Sequence, residues 1–482
     1  MKTLSINSSA MTITLFMAII LTLSGGVTHA VGQNDGHKQD QAITGQWNGV
    51  LSVQGVNLRI IFHINQTDEG YSSAMDSPDQ GATGIPVTTT TFDGSKLSLS
   101  LPNFGILYEG ALQADSIVGT FKQGALSIPT TLKWTSAEAK TVNRPQEPKP
   151  PYPYRSEDVF FENPTAGITL AGTLTIPETG SNFTAVILIT GSGAQDRNEE
   201  IMGHKPFLVI ADYLTRHGIA VLRYDDRGTA QSTGNFAHAT TADFATDVES
   251  AVAYLKTRPE INPQKTGLIG HSEGGNIAPM VAARSNDVAF IVLLASTGIR
   301  GDALLLLQQE AVYRVSGILE DKLMDIIKIN AKVLEMIINA TGVVTQQEII
   351  DFMTTLKDDI VAASPEGLTA DAYITQFAVS LSSLWMQYFL RYDPAPALEQ
   401  VKCPVLAVNG GKDLQVPAGE NLAAIEAALK KGRNTNVTIK EYTGLNHLFQ
   451  ECTTGSPAEY AIIEQTFSPE VLKDLAEWIL NN

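Results

Sequence analysis

Between residues 44 and 134, hydrophobic and polar positions alternate in short runs broken by turn residues. That is the period-2 signature of half-buried strands. It predicts strands over 45–53, 57–65, 71–76, 87–92, 96–101, 106–111, 116–122 and 128–134, with Asp68-Glu69-Gly70 and Asp93-Gly94-Ser95 as turns. Eight short strands in about ninety residues suit a small closed or nearly closed barrel. An all-β domain is therefore expected over 44–136. Prolines 145, 148, 150, 151 and 153 follow, and their spacing prevents helix or ladder formation. Residues 141–155 read as an extended, stiff linker.

From residue 156 the pattern changes to buried apolar runs alternating with helix-period segments, the sign of a parallel sheet with crossovers. Strands are predicted over 159–161 and 168–176 as an antiparallel pair, then over 185–190, 220–224, 266–269, 289–295, 405–409 and 437–442. Helices are predicted over 207–217, 242–257, 276–283 and 469–480. The interval 298–400 breaks the rhythm: it holds only helix-period segments, at 303–316, 320–339, 345–363 and 370–391. An insertion of that size at one edge of the sheet predicts a helical cap over about 299–400; an independently folding helical domain is the alternative. The expected fold class is thus α/β over 156–482, a mostly parallel sheet with a helical cap, preceded by a small all-β barrel.

The chain begins outside this plan. Lys2 precedes an uncharged apolar run over 11–23, followed by small residues ending at Thr28-His29-Ala30. At about 13 residues the run suits a signal-peptide core and is short for a membrane span. Residues 1–30 are therefore expected to be a cleaved signal, an uncleaved anchor being the alternative. The mature protein is expected to be exported, periplasmic or secreted, with no stable membrane span. The formal charge of −18 argues against nucleic acid and anionic membranes as partners. Export permits a disulfide, but the strand assignment puts Cys403 and Cys452 at opposite ends of a strand about 20 Å long, so two free thiols are expected. The eight histidines lack metal-ligand spacing, and neither metal nor other cofactor is expected.

The chemistry concentrates in a few loops. Gly270-His271-Ser272-Glu273-Gly274 is a G-x-S-x-G turn after an apolar strand, the form of a nucleophile elbow, which projects the serine above the sheet. Serine needs a base and an orienting carboxylate, and in such a fold these follow in the order Ser, Asp, His on successive loops. Asp413, after strand 405–409, and His447, after strand 437–442, complete a candidate triad with Ser272. Glu464 and Asp393 are fallback acids. Backbone donors for a carbonyl oxyanion are expected from Glu273 N–H and from the loop Thr190-Gly191-Ser192-Gly193, with Ser192 first and Gly193 next. Asp226 and Arg227 of Tyr224-Asp225-Asp226-Arg227-Gly228 read as structural ties, and His271 as a packing residue. Arg197, beside the oxyanion loop, reads as a substrate contact or a loop tie. Trp385, Tyr388 and Phe389 in the insertion are candidates to line an acyl pocket.

With these motifs in order, residues 156–482 resemble α/β-hydrolases of the esterase and serine-aminopeptidase-like group. The matching blocks are 189–197, 223–228, 270–275, 392–413 and 445–450. Thr190 departs from the common pattern, standing where many members carry histidine. The resemblance implies cofactor-free acyl transfer to water through an acyl-serine intermediate and leaves the substrate open. A carboxylesterase acting on small-molecule acyl esters is the first expectation. A serine aminopeptidase is the second, with Glu320, Asp321 or Glu366 as carboxylates for the substrate ammonium. A non-catalytic binding protein on a hydrolase scaffold is the third. Oligomeric state is left open.

Overall fold

The computed structural model describes residues 43–482 apart from 54–55, 68–69, 78–81, 102–105, 124–125, 136–142 and 364–368. The signal-peptide expectation over 1–30 lies outside the described residues.

The N-terminal part is one antiparallel sheet of nine strands: β1 (Gly45–Val53), β2 (Val56–Thr67), β3 (Gly70–Ser77), β4 (Ala82–Val87), β5 (Thr89–Phe92), β6 (Lys96–Leu101), β7 (Ile106–Gln113), β8 (Ser116–Gln123) and β9 (Leu126–Thr135). They run in the order β4-β3-β2-β1-β9-β8-β7-β6-β5, so the first strand pairs with the last and the sheet curls into a nearly closed barrel. Alternate residues turn inward, as Leu97, Leu99 and Leu101 of β6 do, and meet Trp47, Phe62 and Tyr108 in a filled core. One expectation is corrected. The run 87–92 is not a single strand: the chain leaves β4 at Val87 and enters β5 at Thr89, at opposite ends of the strand order.

Residues 143–153 form neither helix nor strand; they turn at Arg144–Glu147, where the Glu147 N–H meets the Arg144 carbonyl, and are tied to the C-terminal part. Arg144 donates to the main-chain carbonyls of Met202, Gly203, Ala461 and Ile463, and Gln146 brackets the backbone of Thr466 and Phe467.

The second sheet holds β10 (Tyr154–Asn163), β11 (Ile168–Pro177), β12 (Phe183–Ile189), β13 (Ala220–Tyr224), β14 (Ile261–His271), β15 (Phe290–Leu294), β16 (Val405–Gly410) and β17 (Val437–Tyr442). Their order is β10-β11-β13-β12-β14-β15-β16-β17, antiparallel through β13 and parallel from β13 to β17. Strands buried on both faces read as continuous apolar runs, which is why β12, β13, β15 and β16 were legible. Ala185, Ile187 and Ile189 face one core, with helices α2 (Thr241–Lys256), α3 (Gly274–Ala282) and α11 (Ala418–Lys431); Val186 and Leu188 face the other, with α1 (Pro206–Arg216) and α12 (Pro469–Asn481).

Between β15 and β16 lie α4 (Gly301–Val315), α5 (Glu320–Asn339), α6 (Gln346–Thr354), α7 (Lys357–Ala363), α8 (Ala370–Leu381), α9 (Leu384–Arg391) and the short α10 (Ala395–Leu398). No strand interrupts them among the described residues. Two long helices of the sequence reading are each divided. The break at Ser382-Ser383 has a clear cause, since the Ser383 hydroxyl accepts the Met386 N–H and caps a new helix. Most apolar side chains here form their own core around Leu323, Val333, Ile349 and Phe377. Trp385 is an exception, packing against the core of the second sheet.

Candidate active site

At the carboxyl end of β14, Ser272 adopts φ +51°, a left-handed conformation that a non-glycine residue holds only when its surroundings enforce it. Its N–H is fixed by the Leu294 carbonyl at the end of β15. The flanking glycines are steric requirements. A Cβ on Gly270 would stand 2.0 Å from the Gly274 carbonyl oxygen, and one on Gly274 would stand 2.2 Å from that of Ile189. Strand, elbow and helix α3 therefore close to a distance only glycine allows.

Adjacent strands β16 and β17 deliver the other two candidates to the same end of the sheet. Asp413 Oδ1 accepts the N–H groups of Gln415 and Val416, both at 2.8 Å, which fixes the carboxylate. His447 Nδ1 lies 2.7 Å from Asp413 Oδ2. Both side chains are buried, Asp413 at 4% exposure and His447 at 5%. The His447 loop is itself braced. Asn446 Oδ1 accepts the N–H groups of Leu448 and Gln450, and Lys412 reaches the carbonyls of Cys452 and Thr453. The His447 ring meets that of His271, the neighbour of Ser272, at 4.8 Å between centroids.

The loop after β12 crosses the elbow. Gly191 passes so close that a Cβ there would lie 3.2 Å from the Ser272 Cβ. Gly193, at φ +103°, shares the wall of one small cavity with Gly191 and Glu273. Gly193 and Glu273, two of the residues read as backbone donors, thus lie on one cavity beside the elbow. The Gly191 N–H is turned to Glu199 Oε1, 2.7 Å away.

Glu273 carries a second set of contacts. Its Oε1 accepts the Thr241 hydroxyl at 2.6 Å and the Trp385 indole N–H at 2.8 Å. Burial pushes its carboxyl above the usual carboxylate range, and these hydrogen bonds oppose the rise. Trp385 therefore stands directly on the elbow. Phe389 stacks on it at 5.6 Å, while Tyr388 stacks on Tyr392 one turn further along.

The remaining sequence candidates are occupied by protein groups. Arg197 gives Nε and Nη2 to the two oxygens of buried Asp225, Nη2 also to Gln231, and Nη1 to Asp158 and Thr173. Of the two roles read for it, these contacts fit the loop tie. Asp226 accepts from the Thr190 hydroxyl and the Gln195 N–H, while Arg227 pairs with both oxygens of Asp247. Burial drives the Asp226 carboxyl well above its ordinary range. Both residues hold loops, as the sequence suggested. His271 is more than packing, since each ring nitrogen has a polar partner: Glu199 Oε1 at 2.8 Å and the His447 carbonyl at 3.1 Å. Glu199, 4% exposed, was missed altogether. Its only sequence signal is a position in the acidic stretch Asp196–Glu200, just beyond the oxyanion glycines.

Cys403 and Cys452 are free thiols. Among the described residues, no group of three or more His, Cys, Asp or Glu side chains is arranged to hold a metal ion.

The family described as serine aminopeptidase, S33, matches residues 205–451, just over half of the chain. Esterase EstD of Thermotoga maritima is 25% identical over 433 residues, covering 87% of this chain and 94% of its own length, so the likeness extends into the N-terminal β region. An uncharacterised 31.7 kDa protein of Escherichia coli is 25% identical over 269 residues, 56% of this chain and 82% of that protein. Among solved structures, an esterase of Pyrococcus furiosus aligns with 72% of this chain and 99% of its own at 17% identity and a TM-score of 0.42. With its elbow, strand order and family match together, the chain is an α/β-hydrolase and belongs to the serine aminopeptidase S33 family.

Proposed function

We propose that the protein hydrolyses carboxylic esters through an acyl-serine intermediate, with Ser272 as nucleophile, His447 as general base and acid, and Asp413 as the carboxylate that orients it. The observation that carries this reading is the 2.7 Å contact from His447 Nδ1 to an Asp413 carboxylate already fixed by two backbone N–H groups. Holding the proton on Nδ1 leaves the Nε2 lone pair free to accept a proton. His447 Nε2 takes the Ser272 hydroxyl proton as Oγ bonds to the ester carbonyl carbon. The imidazolium then protonates the departing alcohol as the C–O bond breaks. A water molecule, deprotonated by the same nitrogen, attacks the acyl carbon, and Ser272 Oγ leaves with the proton returned. The negative charge on the carbonyl oxygen is met by the N–H groups of Glu273 and of Ser192 or Gly193.

The helical insertion acts as a cap, with Trp385 and Phe389 as an apolar wall beside the elbow. The acyl group packs there, and because one methylene in such a pocket is worth about 1–3 kcal/mol, chain-length preference is graded. A peptidase reading is carried by the family match. The acids considered for the substrate ammonium do not favour it: Glu320 pairs with Arg314, Asp321 accepts the next N–H in the chain, and Glu366 lies outside the described residues. We place the mature enzyme outside the cytoplasm, with residues 1–30 removed; amino-terminal sequencing of the mature protein tests this.

A panel of p-nitrophenyl esters and aminoacyl-naphthylamides, run beside fluorophosphonate labelling, tests the reaction. Esters turned over faster than amides, with label on Ser272 and none on folded Ser272→Ala, is the expected result. Faster amide turnover reverses the ranking. No labelling of folded wild-type protein leaves only a binding role.

A further inference from the structure

Two buried side chains behind the nucleophile have no part in the triad, yet they touch all three loops that build the site. Glu199 reaches its position with φ +51°, and its Oε1 accepts both the Gly191 N–H of the oxyanion loop at 2.7 Å and His271 Nδ1 at 2.8 Å. His271, 7% exposed, directs Nε2 to the main-chain carbonyl of His447 at 3.1 Å. A carbonyl oxygen only accepts, so Nε2 carries a proton. The carboxylate oxygen already accepts from Gly191 and receives Nδ1 as a further donor. A neutral imidazole beside a protonated Glu199 would satisfy the same contacts; the ion pair is the form in which Nδ1–H donates, and the raised pKa of His271 favours it. The other surroundings are apolar: Pro206, Phe207, Ile210, Leu294, Leu448 and Phe467 share a cavity wall with the pair. The charged and titratable groups facing His271 are Glu199 from the loop after β12, and His447 and Asp413 from the loops after β17 and β16.

We infer that Glu199 and His271 are positioning residues that lock the oxyanion loop, the elbow and the general-base loop into one register. Glu199 holds the Gly191 N–H and so fixes the Thr190–Gly191 peptide plane, one peptide ahead of the Ser192 N–H. His271 fixes the His447 backbone from behind while Asp413 fixes its ring from the side. A buried pair of this kind contributes little net stability, but it leaves an uncompensated charge when one member is removed. Its use here is geometric, because small misplacement of reacting groups costs rate far more than binding. The His271 ring also stands 4.8 Å from the His447 ring, so removing its charge changes the field at the base.

This inference rests on the triad reading, and the test separates the two. Glu199→Gln and His271→Asn are measured against wild type for ester turnover, fluorophosphonate labelling and the pH profile of kcat/KM, with folding checked by circular dichroism. The expected result is a loss in kcat of about 10- to 100-fold, the range seen when a supporting hydrogen-bond partner is removed, with KM within about twofold. The acid limb of kcat/KM is expected to move to higher pH in both variants, and further in His271→Asn, which leaves the Glu199 charge behind. A purely structural role would lower the active fraction and leave that limb in place. Either folded variant decides. If wild type turns over esters while folded variants keep kcat within twofold and an unmoved limb, the positioning role is overturned and the triad stands. If folded wild type neither labels nor turns over ester, the triad reading itself fails.

Discussion

The indole N–H of Trp385 in helix α9 lies 2.8 Å from Glu273 Oε1, which ties the helical insertion to the residue following Ser272. The same carboxylate holds Thr241 at the start of α2. One buried acid therefore joins three pieces of chain, the elbow, α2 and α9, and its main-chain N–H is a candidate oxyanion donor.

Trp385→Phe keeps an aromatic ring beside Phe389 and removes that donor together with part of the indole's packing volume. A hydrogen bond to a charged group contributes about 1.5–3 kcal/mol, so unfolding in urea is expected to show a loss of that order. Freed of its anchor, α9 is expected to raise KM for long acyl chains more than for acetate esters. Equal effects across chain lengths would remove Trp385 from the acyl wall.

That Ser272, Asp413 and His447 lie on loops at one end of the sheet was legible because each follows a strand, apolar for β14 and β16 and alternating for β17, and the strand-to-loop step is a local signal. Glu199 was not. It lies on an irregular loop beside exposed Glu200, and nothing local distinguishes the buried member of the pair. Its role appears only once β12 and β14 are neighbours and the loop folds back over the elbow. The β4/β5 division was hidden for a related reason. Thr88 to Thr91 are four identical β-branched residues, so no turn residue marks where the chain crosses from one end of the strand order to the other. The insertion's helices were legible by period, but their breaks depended on Ser383 capping rather than continuing a helix.

Asn446→Ala tests the bracing of the base loop. The side chain is fully buried, and its Oδ1 satisfies two N–H groups on either side of Phe449, itself at φ +57°. Leaving two buried donors unmet costs about 1–3 kcal/mol each. Stability is expected to fall accordingly, and kcat to fall more than KM rises. Asn446→Asp retains the acceptor and is expected to keep more of the activity.

The buried His271 adds a pH dependence to stability. Burial opposes its charge, but the Glu199 carboxylate and the hydrogen bonds to Glu199 and His447 outweigh burial and raise its pKa above 6.5. A raised folded value means that the native state holds this proton more tightly than the unfolded chain. The stabilisation is complete below the unfolded value of 6.5 and is lost as pH rises through the folded value. Wild-type Tm is therefore expected to fall more steeply above pH 6.5 than that of His271→Asn. Parallel Tm curves would mean that the ring is neutral in the folded protein.

Gly270→Ala examines the elbow's geometry without touching any reacting atom. The new methyl carbon would lie 2.0 Å from the Gly274 carbonyl oxygen and 2.2 Å from its carbon, both main-chain atoms that no rotamer change can move. Overpacking where side chains can yield costs about 1–3 kcal/mol. Here the strand and helix α3 must part, so the loss is expected at or above the top of that range. Because the displaced atoms flank Ser272, any folded fraction is expected to label slowly with fluorophosphonate. Gly444→Ala is the matched control: it lies three residues before His447, and its added carbon would meet nothing within 4 Å. It is expected to keep stability within about 0.5 kcal/mol, as for surface changes generally, along with near wild-type labelling. Equal behaviour of the two alanine variants in urea unfolding and labelling would show that close approach of β14 and α3 does not hold the nucleophile in place.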